Sequence, residues 1–139
     1  MSVPALYLDA SALVKRVVRE AESEALEALI EDAEHVGTSV VADVELHRAV
    51  ERAGGGARMR RQATEALELV DLVQLDAEIV RAARSIGPPS LRTLDAIHLA
   101  SARAVGDAVD LFVAYDRRLA DAAREAGLAV VAPGWRPPR

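Results

Sequence analysis

The sequence predicts an α/β fold, with a mainly parallel central sheet of about five strands covered by helices on both faces in a three-layer α/β/α arrangement. Three observations predict it. Short runs rich in strand formers alternate with helix-period segments along the 139 residues. Two of those runs, Leu6-Tyr7-Leu8 and Val109 to Ala114, end beside an acid that opens a helix, Asp9 in the first case and Asp116 in the second. The length suits one domain with its own core, and no cysteine is present to staple it. The expected extent is a single domain over 1–139, with a core at about 6–131 and an irregular tail at 132–139.

After the first strand, Ser11 to Arg19 and Ala21 to roughly Glu34 read as two helices, the second striped with Leu26, Leu29, Ile30 and Ala33 and acidic on its other face. His35 to Ser39 reads as a second strand, with Ser39 placed to accept from free amides of the following turn. The next helix runs to about Ala53. It carries Glu45 on a stripe with Val41 and Ala49, so this carboxylate faces small apolar residues and needs a partner.

Gly54-Gly55-Gly56 is a hinge, followed by Arg58, Arg60 and Arg61 and a helical stretch through Val70. No Gly-Lys-Ser/Thr follows the glycines, which excludes a phosphate-binding loop of that type. Asp71 to Leu75 reads as a third strand, and Asp76 caps a helix from Ala77 to Ile86 that ends at Gly87-Pro88-Pro89. Leu91 to Ala102 is apolar on nearly all sides, with Thr93 as the expected cap and Asp95 in the first turn, where the helix dipole favours a negative charge. After Asp116 a last helix runs to Ala126, Gly127 stops it, and Leu128 to Ala132 forms a final strand.

Composition narrows the function classes. Without cysteine there is no thiolate metal site and no cysteine nucleophile. Asp9 interrupts the apolar N-terminal stretch before a signal peptide or membrane span can form, so the expectation is a soluble, cytoplasmic protein with no membrane partner. The 17 basic and 22 acidic side chains give a net charge of −5, the wrong sign for a protein that coats nucleic acid through a broadly positive surface, although a local basic rim remains compatible.

Asp9, Asp95 and Asp116 all fall at strand–helix junctions or first turns, on the side of an open sheet where ligands bind. Two carboxylates about 4 Å apart repel by about 4 kcal/mol at an effective dielectric near 20, so converging acids need compensation. Magnesium or manganese supplies it, since hard cations prefer carboxylate oxygens and carry waters that can be deprotonated for attack on a phosphodiester. The alternative for each acid alone is a helix cap or a surface charge.

Four blocks decide between these. Leu8-Asp9-Ala10-Ser11-Ala12-Leu13-Val14-Lys15, then Thr38-Ser39 with Glu45-Leu46, then Leu91 to Ala100, then Tyr115-Asp116-Arg117-Arg118-Leu119 with Ala122-Ala123 resemble, in order, the signature blocks of the PIN-domain family. The bacterial toxin subgroup called VapC is the nearest match. The resemblance implies an endoribonuclease that uses Mg²⁺ or Mn²⁺ to hydrolyse RNA, tRNA or ribosomal RNA among the candidates, as the toxin of a type II toxin–antitoxin system held inactive by a VapB-like antitoxin. It also implies a homodimer. In the family's pattern Asp9 and Asp95 are the core metal ligands, Asp116 supports a second metal or an outer water, and Glu45 completes the catalytic pocket. Ser11, Ser39 and Thr93 would be hydroxyl donors that orient the carboxylates. The triple glycine and Asp43 depart from the pattern.

Other side chains keep two readings at this point. Lys15 could touch the scissile phosphate or snorkel from the first helix. Arg58, Arg60 and Arg61 could grip RNA or an acidic partner, or simply face solvent at a helix start. His98 is read as packed and hydrogen-bonded, with a proton shuttle as the sharper alternative. Two further function classes stand beside the nuclease. A receiver-like phosphoacceptor would need paired acids beside the first strand, which Leu6-Tyr7-Leu8-Asp9 lacks. A non-catalytic PIN scaffold would be favoured by loss of one of the four acids, and all four are present.

Overall fold

The computed structural model of the protein describes residues 4–138. Five strands, β1 (Ala5–Leu8), β2 (His35–Ser39), β3 (Asp71–Val73), β4 (Leu111–Val113) and β5 (Val130–Val131), form one sheet in the order β3-β2-β1-β4-β5. Every neighbouring pair is parallel. Seven α-helices connect them among the described residues: α1 (Ala10–Val14), α2 (Ser23–Glu31), α3 (Val41–Arg52), α4 (Ala57–Glu68), α5 (Ala77–Ala83), α6 (Thr93–Val105) and α7 (Arg117–Glu125).

The period-two rule of a strand sorts β1 between two cores. Leu6 and Leu8 face a cluster with Leu13, Leu26, Leu46 and Val50, which seats α1 to α4 on one side of the sheet. Tyr7 faces the opposite cluster with Leu99, Phe112, Leu119 and Ala123, which seats α6 and α7 on the other. A parallel sheet buried on both faces results, in three layers as expected.

Several boundaries differ from expectation. The first helix ends at Val14, not Arg19, because the chain tightens into three-residue turns, Arg16 N–H to Leu13 O at 3.1 Å and Val17 N–H to Val14 O at 3.0 Å. The Ser23 hydroxyl then takes the free Lys15 carbonyl at 2.7 Å, tying α2 under the break. Thr93 is the first helical residue of α6, and the cap position falls on Arg92 without a side-chain capping bond. Ser39 does accept from Val41 N–H, at 3.2 Å. The glycine hinge between α3 and α4 holds Gly54, Gly55 and Gly56 at φ of 105°, 63° and 117°, a run that side-chain-bearing residues would strain. Residues 132–138 carry no helix or strand, and the Tyr115 hydroxyl fastens them by donating to Pro133 O at 2.8 Å; the last residue of the expected tail, Arg139, lies outside the described residues.

The chain leaves β1 toward β2 on one side and later returns to place β4 on the other, so the gap between β1 and β4 is a topological switch point. The crevice beyond the carboxyl ends of such a strand pair is where an open α/β sheet accommodates a ligand.

Candidate active site

Asp9 and Asp116 stand at the two strand ends that flank this crevice. Asp9 is 3% exposed and its Oδ1 accepts from Ala12 N–H at 2.9 Å, capping α1. The Ser11 hydroxyl lies 2.7 and 2.9 Å from the two carboxylate oxygens of Asp9. Tyr115 N–H approaches that same hydroxyl oxygen at 3.4 Å, so Ser11 links the two acid-bearing corners. Asp116 caps α7 through Leu119 N–H at 3.0 Å.

Asp95 and Glu45 enter from above, on α6 and α3. With Asp9 and Asp116 they line one cavity of about 410 Å³, together with Ser11 and Thr93. The Arg92 guanidinium lies across its mouth, 3.2 Å from Asp95 Oδ2 and 3.4 Å from Asp116 Oδ2. Glu45 finds the partner its setting demands in His98, whose Nε2 is 2.7 Å from Oε1.

Electrostatics follow from this packing. Burial pushes the Asp9 carboxyl up to about 6, against the Ala12 amide and the Ser11 hydroxyl that stabilise its ionised form, with Asp95 adding to the rise. Asp95 is also raised, by burial first and then by Asp116, while Arg92 pulls it back. Among the described residues no three acid or histidine side chains form a complete ligand set as they stand. The chemistry of the donors nonetheless fits a hard divalent cation. All are carboxylate oxygens, the deepest of them is destabilised as an anion, and Arg92 already stands as a positive charge between two of them.

The remaining expected residues separate into two groups. Ser11 and Thr93 reach the pocket. Ser39 is buried, and its hydroxyl serves the start of α3. Lys15 is 7% exposed, its ammonium committed to Glu20 at 3.3 Å and Glu22 at 3.6 Å and lying 4.6 Å over the Tyr115 ring. Arg58, Arg60 and Arg61 are exposed on α4, away from the pocket walls, and Arg60 holds Glu51 through two contacts at 2.7 and 3.0 Å.

Two residues with roles here, Arg48 and Arg52, escape a reading by motif, and a third, Thr38, has a role that its motif did not specify. Arg48 and Arg52 of α3, both exposed, line a groove of about 450 Å³ that continues from Ser11 and Glu45 and is also lined by Lys15 and Glu20. Their signal was spacing, since positions 45, 48 and 52 share one helical face. Thr38 donates to Leu8 O at 2.7 Å and pins the end of β1 just before Asp9.

A parallel α/β sheet whose switch point gathers four acids around one crevice defines an acid-cluster α/β protein, with a pocket whose donors suit a hard divalent cation. The chain belongs to the PIN domain family, whose profile matches residues 6–125. It is similar to Ribonuclease VapC46 of Mycobacterium tuberculosis, 41% identical over 129 residues that cover 93% of this chain and 98% of that one. It is similar also to Ribonuclease VapC47 of the same species, 37% identical over 133 residues covering 93% and 97%. Among solved structures the fold matches M. tuberculosis VapC20, described as a Sarcin-Ricin loop cleaving toxin, with a TM-score of 0.70 at 19% identity over 93% of this chain and 100% of that one. It also matches VapBC2 from Rickettsia felis bound to a fragment of promoter DNA, with a TM-score of 0.69 at 12% identity over 93% and 98%. No helix among the described residues is long and apolar enough to cross a membrane.

Proposed function

We propose that this protein is a metal-dependent endoribonuclease acting as the toxin of a type II toxin–antitoxin pair, with Asp9, Glu45, Asp95 and Asp116 as its catalytic acids. The observation that carries this reading is the meeting of those four acids, drawn from β1, α3, α6 and the β4–α7 corner, around one cavity. The relatives named as ribonucleases supply the class of reaction.

Asp9, Asp95 and Asp116 would hold Mg²⁺ or Mn²⁺, which supplies a deprotonated water at neutral pH and charge stabilisation at the attacked phosphate. Asp9 gives the fixed point of the set. Its carboxylate is locked by Ser11 and Ala12, so it needs no rearrangement to present an oxygen. Arg92, which pairs with one oxygen each of Asp95 and Asp116, would compete with such a cation for them, and its guanidinium at the mouth of the pocket is placed to meet a phosphate oxygen.

RNA, with tRNA and ribosomal RNA as the classes to test, would approach along the groove that Arg48 and Arg52 line. Replacing both arginines should lower the dependence of log affinity on log salt by about 1.4, at about 0.7 per phosphate contact on a single strand. Replacing Arg60, whose charge is already paired with Glu51, should leave that slope unchanged.

The partner we assign is a VapB-like antitoxin, as the toxin–antitoxin complexes among the structural neighbours suggest. We expect a homodimer, which light scattering at micromolar concentration checks, and a cytoplasmic location, where both RNA classes are met. The functional test is cleavage of end-labelled total tRNA and ribosomal RNA in Mg²⁺, Mn²⁺ or EDTA, beside Asp95→Asn. Discrete products that need metal and vanish in the variant support the nuclease. A folded protein that binds metal and cleaves neither RNA points instead to a non-catalytic PIN scaffold that binds RNA or a protein partner.

A further inference from the structure

Behind the pocket runs a buried polar chain that the acids alone do not explain. His98 of α6 is fully buried, with Nε2 at 2.7 Å from Glu45 Oε1 and Nδ1 at 2.8 Å from the Tyr7 hydroxyl. Tyr7 of β1 is equally buried. Its ring stacks on Phe112 with centroids 5.4 Å apart and planes within 4°, and meets the His98 ring edge-on at 5.9 Å. Three elements, β1, α6 and α3, are thus joined by two hydrogen bonds that end on a pocket carboxylate.

The donor directions in this chain follow the His98 tautomer, which its two partners bias. An ionised carboxylate only accepts, so Nε2 must carry the hydrogen that meets Glu45. In the neutral ring Nδ1 is then a bare acceptor, and the Tyr7 O–H is the donor that reaches it. The carboxylate therefore selects the tautomer, and the Tyr7 hydroxyl, which is able to donate, satisfies the nitrogen that this tautomer leaves bare. Turning the ring over would leave a buried nitrogen without a suitable partner, and the packed aromatic faces oppose the motion.

Glu45 has reason to need such a hold. Its long side chain springs from a helix face shared with Val41 and Ala49 and is 19% exposed, close to the other acids that repel it. Oε1 is taken by His98, which leaves Oε2 to the pocket. α6 thus contributes twice from one face, Asp95 directly and Glu45 through His98 one turn later.

We propose that His98, oriented by Tyr7, is a positioning residue that fixes Glu45 in the pocket and so acts on turnover without touching substrate. The inference rests on Glu45 being a catalytic acid, as proposed above.

The test combines kinetics with ring spectroscopy on the full chain. His98→Asn, which cannot reach Glu45, should lower kcat about 10- to 100-fold with KM little changed, and Tyr7→Phe should give a smaller loss in the same direction. His98→Gln, whose amide can stand near Nε2, should restore part of the rate. The double variant His98→Asn with Glu45→Gln should be no slower than Glu45→Gln alone, because both changes remove one device. In ¹⁵N-histidine spectra the wild type should show His98 protonated at Nε2 with Nδ1 accepting, and Glu45→Gln should move that signal.

Wild-type kcat in a folded His98→Asn protein, additive losses in the double variant, or a ring protonated at Nδ1 alone would each overturn the proposal. If the wild type cleaves no RNA, the nuclease reading fails by itself, and the hold of His98 on Glu45 is decided by whether Glu45→Gln moves the ring signal.

Discussion

At the β1–α1 corner Asp9 caps its helix through Ala12 N–H at 2.9 Å, and at the β4–α7 corner Asp116 caps its helix through Leu119 N–H at 3.0 Å. The local device is the same, an extended residue after a strand whose carboxylate closes the first turn. The surroundings differ. β1 is the middle strand of five, so Asp9 is 3% exposed and its compensation comes from neutral groups, the Ser11 hydroxyl and an amide. β4 is flanked on its outer side by the two-residue β5, so the Asp116 side chain is 36% exposed and meets the Arg92 guanidinium. Depth in the sheet, not the capping motif, is what strains Asp9 as an anion.

The largest consequence is catalytic. A buried, pre-oriented carboxylate is worth more to a charged reaction than one half in water, because it does not have to reorganise. Asp9→Asn should therefore reduce RNA cleavage by about 10³-fold. Asp116→Asn should reduce it by about 10- to 100-fold, the range for a group that supports from further out. Single-turnover rates at saturating Mn²⁺ measure both. Equal losses would break the comparison.

Stability should change in opposite directions at the two corners, and here the sign is set by proton linkage. Burial raises the Asp9 carboxyl from its ordinary 3.8 to about 6, so the folded state holds that proton more tightly than the unfolded state does. Below about pH 4 both states are protonated and Asp9 costs nothing. As pH rises through about 6 the folded state has to ionise it, and the group then costs about 3 kcal/mol. In EDTA, wild-type stability should thus fall between pH 4 and about 6.5. Asp9→Asn, which keeps an oxygen to cap α1, should be more stable than wild type by up to about 3 kcal/mol at pH 7, with the gap closing toward pH 4. Asp116→Asn should instead be slightly less stable, by about 0.2 to 1 kcal/mol, through loss of its exposed ion pair. Urea titrations across that pH range measure all three proteins.

How far these differences could be read in advance follows from which contacts are local. The five parallel strands, the helix order and the acids at both strand ends were legible, because each rests on periodicity or on a neighbour within four residues. The carboxylates could be placed at one end of the sheet for the same reason. The partners were not legible. Glu45 visibly needed one, but His98 lies 53 residues away and meets it only after α3 and α6 pack. The arginines after the glycine hinge drew attention as a run, yet packing puts them on an outer face and leaves Arg48 and Arg52 on the groove. Lys15 carried two readings, phosphate contact or a snorkelling stem, and only the early end of α1 reveals that Glu20 and Glu22 meet its ammonium at the groove.

The smallest effect is the most specific to the outer corner. Arg92 touches Asp95 and Asp116, and its own side chain is 70% exposed, so its two ion pairs are screened and worth about 0.2 to 1 kcal/mol. That attraction would compete with a divalent cation for the same two carboxylates. Arg92→Ala should therefore bind Mn²⁺ more tightly, by about 1.5- to fivefold in a calorimetric titration, while KM for RNA rises because a phosphate contact is lost. The Asp9-dependent fall in stability between pH 4 and 6.5 should survive the substitution, since Arg92 has no contact with Asp9 and burial drives that rise. A variant that loosened Mn²⁺, or that flattened the Asp9 profile, would mean that one charge serves both corners and that the inner and outer acids form a single electrostatic unit.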